Sequence, residues 1–285
     1  MGPMSAPRAA EWLLATLSSS PWLSRATGRL CDLRLPPAVL TPVIRAYARA
    51  LRVDLEEAAH PPEAYPSFNA FFTRALVSGC RPVDRGAGTV VSPCDARVIG
   101  ISAIPEDGRL EQVKGVTYSL EALLGSATDA ALFRAGVQAT LYLSPSMYHR
   151  VHSPVDGCIR AWRHVPGRLF PVNGPGVRTI PGLFTRNERV CLFYETEAHG
   201  PLAVVMVGAA NVGRISLSFA PLTTHRAAPP GAVEPSTPLP VQRGDEIGAF
   251  NLGSTVVLLL ADTALVPAAV RGEVVHMGRP LWRRR

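Results

Sequence analysis

Beyond Arg81-Pro82 the chain breaks into short β-branched runs divided by Gly, Pro, Asn and Asp, and this punctuation limits the fold more than any other feature. The runs fall at 89–91, 97–104, 137–143, 157–162, 190–194, 202–207, 212–219, 255–260 and 270–276. A single helical interval, 119–134, interrupts them. Many short strands at such spacing pack as an antiparallel sandwich or barrel. Gly 24 and Pro 27 in 285 residues suit that architecture better than a helical bundle. The stretch 221–240 contains Pro229-Pro230, Pro235, Pro238 and Pro240 and reads as a long irregular loop.

Before this region the pattern is helical. Trp12, Leu13, Leu17, Trp22, Leu23, Ala26, Leu30 and Leu33 recur at roughly helical spacing, with Arg8, Arg25, Arg29 and Arg34 between them. Such a helix can lie in a lipid interface or pack as an ordinary surface helix, and the pattern leaves both open. Pro36-Pro37 opens a second helix over 38–59, and Pro61-Pro62 closes it. Ser67 is placed to cap a short helix over 68–76. The expected class is therefore α+β. A helical, membrane-associating segment at 1–62 precedes a β-rich, sandwich- or barrel-like catalytic domain at 63–285.

Charge narrows the chemistry. The net charge is +7, yet Lys114 is the sole lysine, so a pyridoxal phosphate enzyme would have to build its Schiff base there. An arginine-rich surface suits anionic lipid headgroups or nucleic acid, or is a solvated face. Trp282-Arg283-Arg284-Arg285 offers a second basic-aromatic contact or a solvated tail. Cys31, Cys80, Cys94, Cys158 and Cys191 are odd in number and lack a C-x-x-C, which fits a reducing compartment better than disulfides or zinc. No run reaches the ~18 apolar residues that cross a bilayer, and the start of the chain lacks a signal-peptide pattern.

Three segments carry groups able to do chemistry: Ser92-Pro93-Cys94-Asp95, Tyr148-His149-Arg150-Val151-His152-Ser153-Pro154-Val155-Asp156-Gly157, and Gly244-Asp245-Glu246-Ile247-Gly248-Ala249-Phe250-Asn251-Leu252-Gly253-Ser254-Thr255. Together they offer an acid, a histidine and a serine, the parts of a relay that activates a hydroxyl. Singly, Asp95 is an ordinary turn aspartate and Ser254 an ordinary turn serine. His149 and His152 lack the H-E-x-x-H setting of a metal pair. Leu252-Gly253-Ser254-Thr255-Val256 is not the G-x-S-x-G elbow of serine hydrolases.

In these segments the chain resembles the bacterial phosphatidylserine decarboxylase proenzymes, of the short, pyruvoyl-dependent type I form. The resemblance extends to Phe68-Asn69-Ala70-Phe71-Phe72-Thr73-Arg74, Arg81-Pro82, Lys114-Gly115-Val116-Thr117-Tyr118, Leu169-Phe170-Pro171-Val172-Asn173, Arg186-Asn187-Glu188-Arg189 and Val207-Gly208-Ala209. One departure is Ala96, where the family usually has glycine after the aspartate; alanine tolerates left-handed angles poorly.

The resemblance implies self-cleavage between Gly253 and Ser254, giving a large chain 1–253 and a small chain 254–285 that stay paired and can pair further. It assigns Ser254 as nucleophile, His152 as its base and Asp95 as the group orienting the imidazole. Ser254 then becomes a covalent pyruvoyl group that forms a Schiff base with the substrate, so neither pyridoxal phosphate nor metal is expected. His149 is implied as a proton donor or substrate contact, and Lys114 as a structural or headgroup contact. The expected partner is phosphatidylserine in an anionic membrane, reached peripherally from the cytoplasmic face, with no nucleic acid. Rival readings are a hydrolase that uses Ser254 in an intact chain, a pyruvoyl decarboxylase of a soluble amino acid, and a non-enzymatic membrane-binding β-sandwich.

Overall fold

The computed structural model describes residues 21–113, 115–172, 174–210, 214–224, 230–251 and 254–285. The expectations for 12–17, Lys114 and Gly253 fall outside them. Helix α1 (Pro21–Asp32) leads into α2 (Pro37–Leu51), whose proline start uses an amide-free residue where the first turn has no carbonyl to bond. The sequence pattern ran α2 on to residue 59. It stops earlier because Arg52 turns left-handed at φ 57° and the Val53 amide bonds back to the Ala48 carbonyl. Helix α3 (Phe68–Phe72) begins as expected, with Ser67 Oγ accepting from the Ala70 amide, and ends four residues short of the expected 76. Leu40, Ile44 and Ala48 of α2 form a small core with Val53, Tyr65 and Phe71.

The interval 119–134 divides into α4 (Leu120–Leu124) and α5 (Ala127–Ala131), because Gly125 takes a left-handed φ of 68° between them. Two further short helices, α6 (Gly174–Thr179) and α7 (Leu183–Arg186), lie where the sequence pattern showed none.

The first strands are β1 (Thr89–Val91), β2 (Ala96–Ala103), β3 (Arg109–Val113), β4 (Val116–Ser119), β5 (Val137–Leu143) and β6 (Arg150–His152). Next come β7 (Gly157–Val165), β8 (Arg189–Thr196), β9 (Gly200–Gly208), β10 (Arg214–Leu217), β11 (Gly231–Val233) and β12 (Leu239–Val241). The chain closes with β13 (Glu246–Asn251), β14 (Ser254–Leu260), β15 (Leu265–Pro267), β16 (Val274–Val275) and β17 (Pro280–Arg284). The proline-rich stretch is thus not wholly irregular: β11 and β12 both pair with β7.

The main sheet has nine strands in the order β11-β7-β8-β9-β14-β5-β2-β16, with β12 also on β7. A second sheet, β10-β13-β6, has three strands, and no closed barrel forms among the described residues. The α+β, β-rich class therefore holds in an open form. Strand β14 lies inside the main sheet, antiparallel to β5 on one edge and β9 on the other over all seven residues. Alternating side chains enter opposite faces. Val256, Leu258 and Leu260 join the core that contains Val151, Ile215, Ile247 and Phe250. Val257 and Leu259 join the other, with Phe193, Val205 and Phe184. Burial on both faces is why 255–260 is a continuous apolar run with no alternation. Leu258→Ala is expected to cost about 2–5 kcal/mol of unfolding free energy, read by denaturant titration of the purified protein.

Candidate active site

Ser254 is the first residue of β14, paired with Leu143 of β5 and Gly208 of β9. Strand alternation puts its side chain on the face of Val256 and Leu258, toward the core shared with the β10-β13-β6 sheet. It is fully buried, and its Oγ has no hydrogen-bond partner among the described residues. A buried hydroxyl ordinarily finds one. The flanking backbone is fixed by Asn187, itself fully buried: its Nδ2 donates to the carbonyls of Gly208 (2.8 Å) and Phe170 (2.9 Å), and its Oδ1 accepts from the Phe170 amide. This is the physical content of the Arg186-Asn187-Glu188-Arg189 segment. The close approach of β10 to β13 explains one motif glycine, since a Cβ at Gly248 would meet Ser216 O at 2.5 Å.

His149 and His152 stand at and just before β6, which pairs with β13 and so approaches the strand that leads to Ser254. The His149 carbonyl accepts from the Phe250 amide at 2.9 Å. Its ring is fully buried against Phe72, with centroids 4.0 Å apart. Nδ1 lies 2.8 Å from the Met147 carbonyl, an acceptor, so Nδ1 carries the proton; Nε2 has no partner among the described residues. Burial pulls the His149 pKa down to about 3, against the opposing pull of the Met147 carbonyl. The resting ring is a neutral imidazole with a free lone pair.

His152 is built the same way. Its Nδ1 donates to the Gly244 carbonyl at 2.8 Å, and its Nε2 accepts from the Tyr148 hydroxyl at 3.0 Å. Burial lowers its pKa, partly offset by the Gly244 carbonyl and by the charges of Glu246 and Asp95. Gly244 presents that carbonyl from a left-handed turn at φ 95°. Tyr148, pushed up to about 12 mainly by burial, remains a hydroxyl donor.

The structure gathers these residues without joining them in one hydrogen-bonded chain. Among the described contacts His152 bonds neither Asp95 nor Ser254; the link between its segment and Asp95 is the His152 amide, which donates to Pro93 O at 2.8 Å. The Asp95 carboxylate is held elsewhere. Arg81 donates to it from Nε and from its terminal nitrogen (2.7 Å), the Met277 amide at 2.8 Å, and His276 Nδ1 approaches to 3.3 Å. Burial would push the carboxyl up, but Arg81 and the Met277 amide outweigh it and hold the group below its ordinary range. Glu57 accepts both terminal nitrogens of the same guanidinium. Ala96 opens β2 paired with Val275 and is not among the residues of positive φ, so this turn does not require glycine.

Sequence reasoning passed over Arg81 and Asn187 as mere motif members and gave Tyr148, Gly244 and His276 no role. Arg81 stands fourteen positions before Asp95, too far for a local pattern to pair them. Gly244 opened the third marked segment, but its role there, a backbone carbonyl offered to His152, has no side-chain signal.

The depressed histidine sets a stability slope. In the unfolded chain His149 binds a proton near its ordinary pKa of about 6.5, whereas the folded ring resists it down to about 3. The unfolded state thus binds more protons as pH falls through that window, and stability is lost progressively below about 6.5. Thermal melts from pH 7 to pH 4 should show a shallower decline for His149→Gln than for the parent.

The family model described as phosphatidylserine decarboxylase matches residues 68–283. A phosphatidylserine decarboxylase proenzyme of Anaeromyxobacter sp. (strain K) is 44% identical over 264 residues, covering 91% of this chain and 93% of the relative. Those of Myxococcus xanthus (strain DK1622) and Bordetella avium (strain 197N) are 43% and 45% identical, covering 83% and 91% of this chain and 84% and 89% of the relatives. The aligned span takes in Ser254, His149, His152, Asp95 and the whole of the main sheet, and on that ground the chain belongs to the phosphatidylserine decarboxylase family.

Proposed function

We propose that the chain is a proenzyme that cuts itself between Gly253 and Ser254 and then, as two associated chains, converts phosphatidylserine to phosphatidylethanolamine and carbon dioxide. The observation that carries this reading is the fully buried Ser254 hydroxyl, unpartnered among the described residues, at the head of a strand enclosed on both edges. In the first reaction His152 Nε2 takes the hydroxyl proton. Its Nδ1–H is already committed to the Gly244 carbonyl, which fixes the basic tautomer. Ser254 Oγ adds to the Gly253 carbonyl, the peptide C–N bond breaks, and the proton goes to the departing amine, leaving an ester. Loss of the Ser254 α-proton expels the Gly253 carboxylate and leaves a dehydroalanine. Water then releases ammonia and leaves a pyruvoyl group at the new terminus. Asp95 acts through charge, favouring the imidazolium that forms on His152. Arg81 and the Met277 amide keep that charge in place.

The site suits a pyruvoyl group because the Ser254 hydroxyl oxygen, which leaves with the Gly253 carboxylate, has no hydrogen bond to give up among the described residues. The Ser254 Cβ becomes the methyl group, and water supplies the keto oxygen at Cα. When formed, the group supplies a carbonyl that captures the substrate amine and takes up the electron pair left by carbon dioxide. His149 is the proposed substrate contact: its neutral Nε2 lone pair, unpartnered among the described residues, accepts a hydrogen bond from the substrate amine and orients it. The surrounding Phe72 ring and buried strands exclude water, which disfavours the carboxylate relative to neutral carbon dioxide.

A lipid substrate is favoured over a soluble amino acid by the outer face of α1 and α2. Leu30, Leu33, Val39 and Val43 are 65%, 49%, 52% and 48% exposed, beside the exposed Arg29, Arg34 and Arg45. An apolar row rimmed by arginine matches an anionic lipid interface. No described helix is long and apolar enough to cross a membrane, so this row is the proposed peripheral attachment. All five cysteines are unpaired, in keeping with the cytoplasmic face.

Intact-mass measurement of active protein should give chains 1–253 and 254–285, the smaller one reactive toward phenylhydrazine. Ser254→Ala should remain a single inactive chain, and His152→Ala should stall before cleavage. A single full-length species with normal turnover would rule the reading out. Cosedimentation with phosphatidylserine-containing vesicles should fall for Leu33→Asp combined with Val39→Asp, and in the parent it should weaken as salt rises.

A further inference from the structure

Four polar side chains from four separate segments meet beside the strand end that leads to the scissile bond, and the reaction as derived uses none of them. Asp32 is the last residue of α1, Asn69 lies in α3, Arg214 opens β10 and Asn251 ends β13, three residues before Ser254. Arg214 grips the Asp32 carboxylate with both terminal nitrogens, at 2.6 and 2.9 Å, and one of them also reaches Asn251 Oδ1 at 3.2 Å. Asn69 Nδ2 donates to Asp32 Oδ1 and to Asn251 Oδ1, each at 2.9 Å. Asn251 Nδ2 returns a bond to the Arg214 carbonyl at 3.2 Å, across the register pair formed by these two residues. Arg214 and Asn251 are buried.

The cluster is asymmetric in origin. Arg214, Asn251 and Ser254 belong to the β-rich body, whereas the one carboxylate that compensates the buried guanidinium among the described residues comes from the helix whose outer face carries Leu30. A two-pronged arginine–carboxylate contact fixes direction as well as charge. Without the carboxylate, a largely desolvated cation would keep, among the described residues, only the Asn251 side-chain oxygen and would draw its neighbours into a new arrangement. Asn251 is the neighbour it holds. An ångström of error at a reacting centre can cost about a hundredfold in rate, and the bond to be attacked lies two residues beyond Asn251.

We propose that Asp32, acting through Arg214 and Asn251, is a positioning residue for self-cleavage, so that the chain matures only with α1 seated. The proposal rests on the reading that the bond between residues 253 and 254 is cut, and it adds a condition on when. The helix offered to lipid is thereby wired to the strand end where the cofactor is made.

The test follows conversion of freshly synthesised full-length chain to its two fragments by intact mass over time, with a thermal melt of each variant. Asp32→Asn keeps the shape and removes the charge, and its cleavage rate, followed at a temperature well below its own melting point, should fall at least about tenfold. Asp32→Glu, which restores a carboxylate, should recover most of the rate. Asn69→Ala removes a bond to each partner without stranding a charge, and should slow cleavage in the same direction even if Asp32→Asn folds poorly. Parent-like rates in both Asp32→Asn and Asn69→Ala would overturn the proposal, as would a lowered melting temperature with an unchanged rate, which assigns the cluster to stability alone. A parent chain that never cleaves would instead overturn the self-processing reading, and this proposal with it.

Discussion

Strand β14 is hydrogen-bonded along both edges and covered on both faces, and the rest of the molecule is arranged around that enclosure. A strand so placed gives up all its apolar surface to two cores, at roughly 25 cal/mol for each Å² withdrawn from water. Severing the backbone at its head leaves these contacts and ladder bonds intact. The thirty-two residues that follow could not build a core alone, yet they contribute the middle of the sheet. The same segment goes on to supply β17, which pairs with β1, and the Met277 amide that holds Asp95. A peptide bond can therefore be spent at this position without loss of the fold, a condition that any self-cleaving chain with a working product must meet.

Desolvation, which makes the strand stable, also sets the chemistry at its head. Burial is the leading cause of the depressed pKa of both His149 and His152, and each ring directs its protonated nitrogen at a backbone carbonyl. The outcome is a pair of neutral imidazoles, obtained without an ion pair to either ring among the described residues. The one buried carboxylate nearby is kept ionised by a guanidinium that also pairs with Glu57. In the structure Asp95 is thus an electrostatic neighbour of His152, and the tautomer-fixing task that a triad gives to its acid falls to Gly244.

Much of this was legible in the sequence, and the part that was not has a common cause. The runs at 255–260, 137–143 and 202–207 announced strands, while their adjacency and the burial of the first on both faces came only with the structure. Ser67 announced a cap. Helix ends were misread where a non-glycine residue, Arg52, took a left-handed angle because of the Val53 amide behind it. The short strands β11 and β12 escaped because proline-rich chain pairs only at a sheet edge, and that edge exists only once β7 is in place. In the site, Asp95, His149, His152 and Ser254 were visible as side chains of reactive type. Two of the partners that orient them were invisible: the Gly244 carbonyl on His152 and the Met277 amide on Asp95 are backbone groups 92 and 182 positions away. Periodicity reports which face a residue occupies and says nothing about what meets it there.

The cluster of Asp32, Asn69, Arg214 and Asn251 bears on how a hazardous reaction is kept in order. A keto group formed in a loosely folded chain would meet free amines and water, so the attack geometry is best reached only after the fold is complete. Contacts far apart in sequence provide that timing, because they form only when the segments bearing them have docked. Asp32 and Arg214 are separated by 182 residues, and so are Asn69 and Asn251. A reaction centre whose last support comes from α1 is competent only when the β-rich body and that helix are both in place, which puts the proposed self-cleavage after assembly and beside the face proposed to meet lipid.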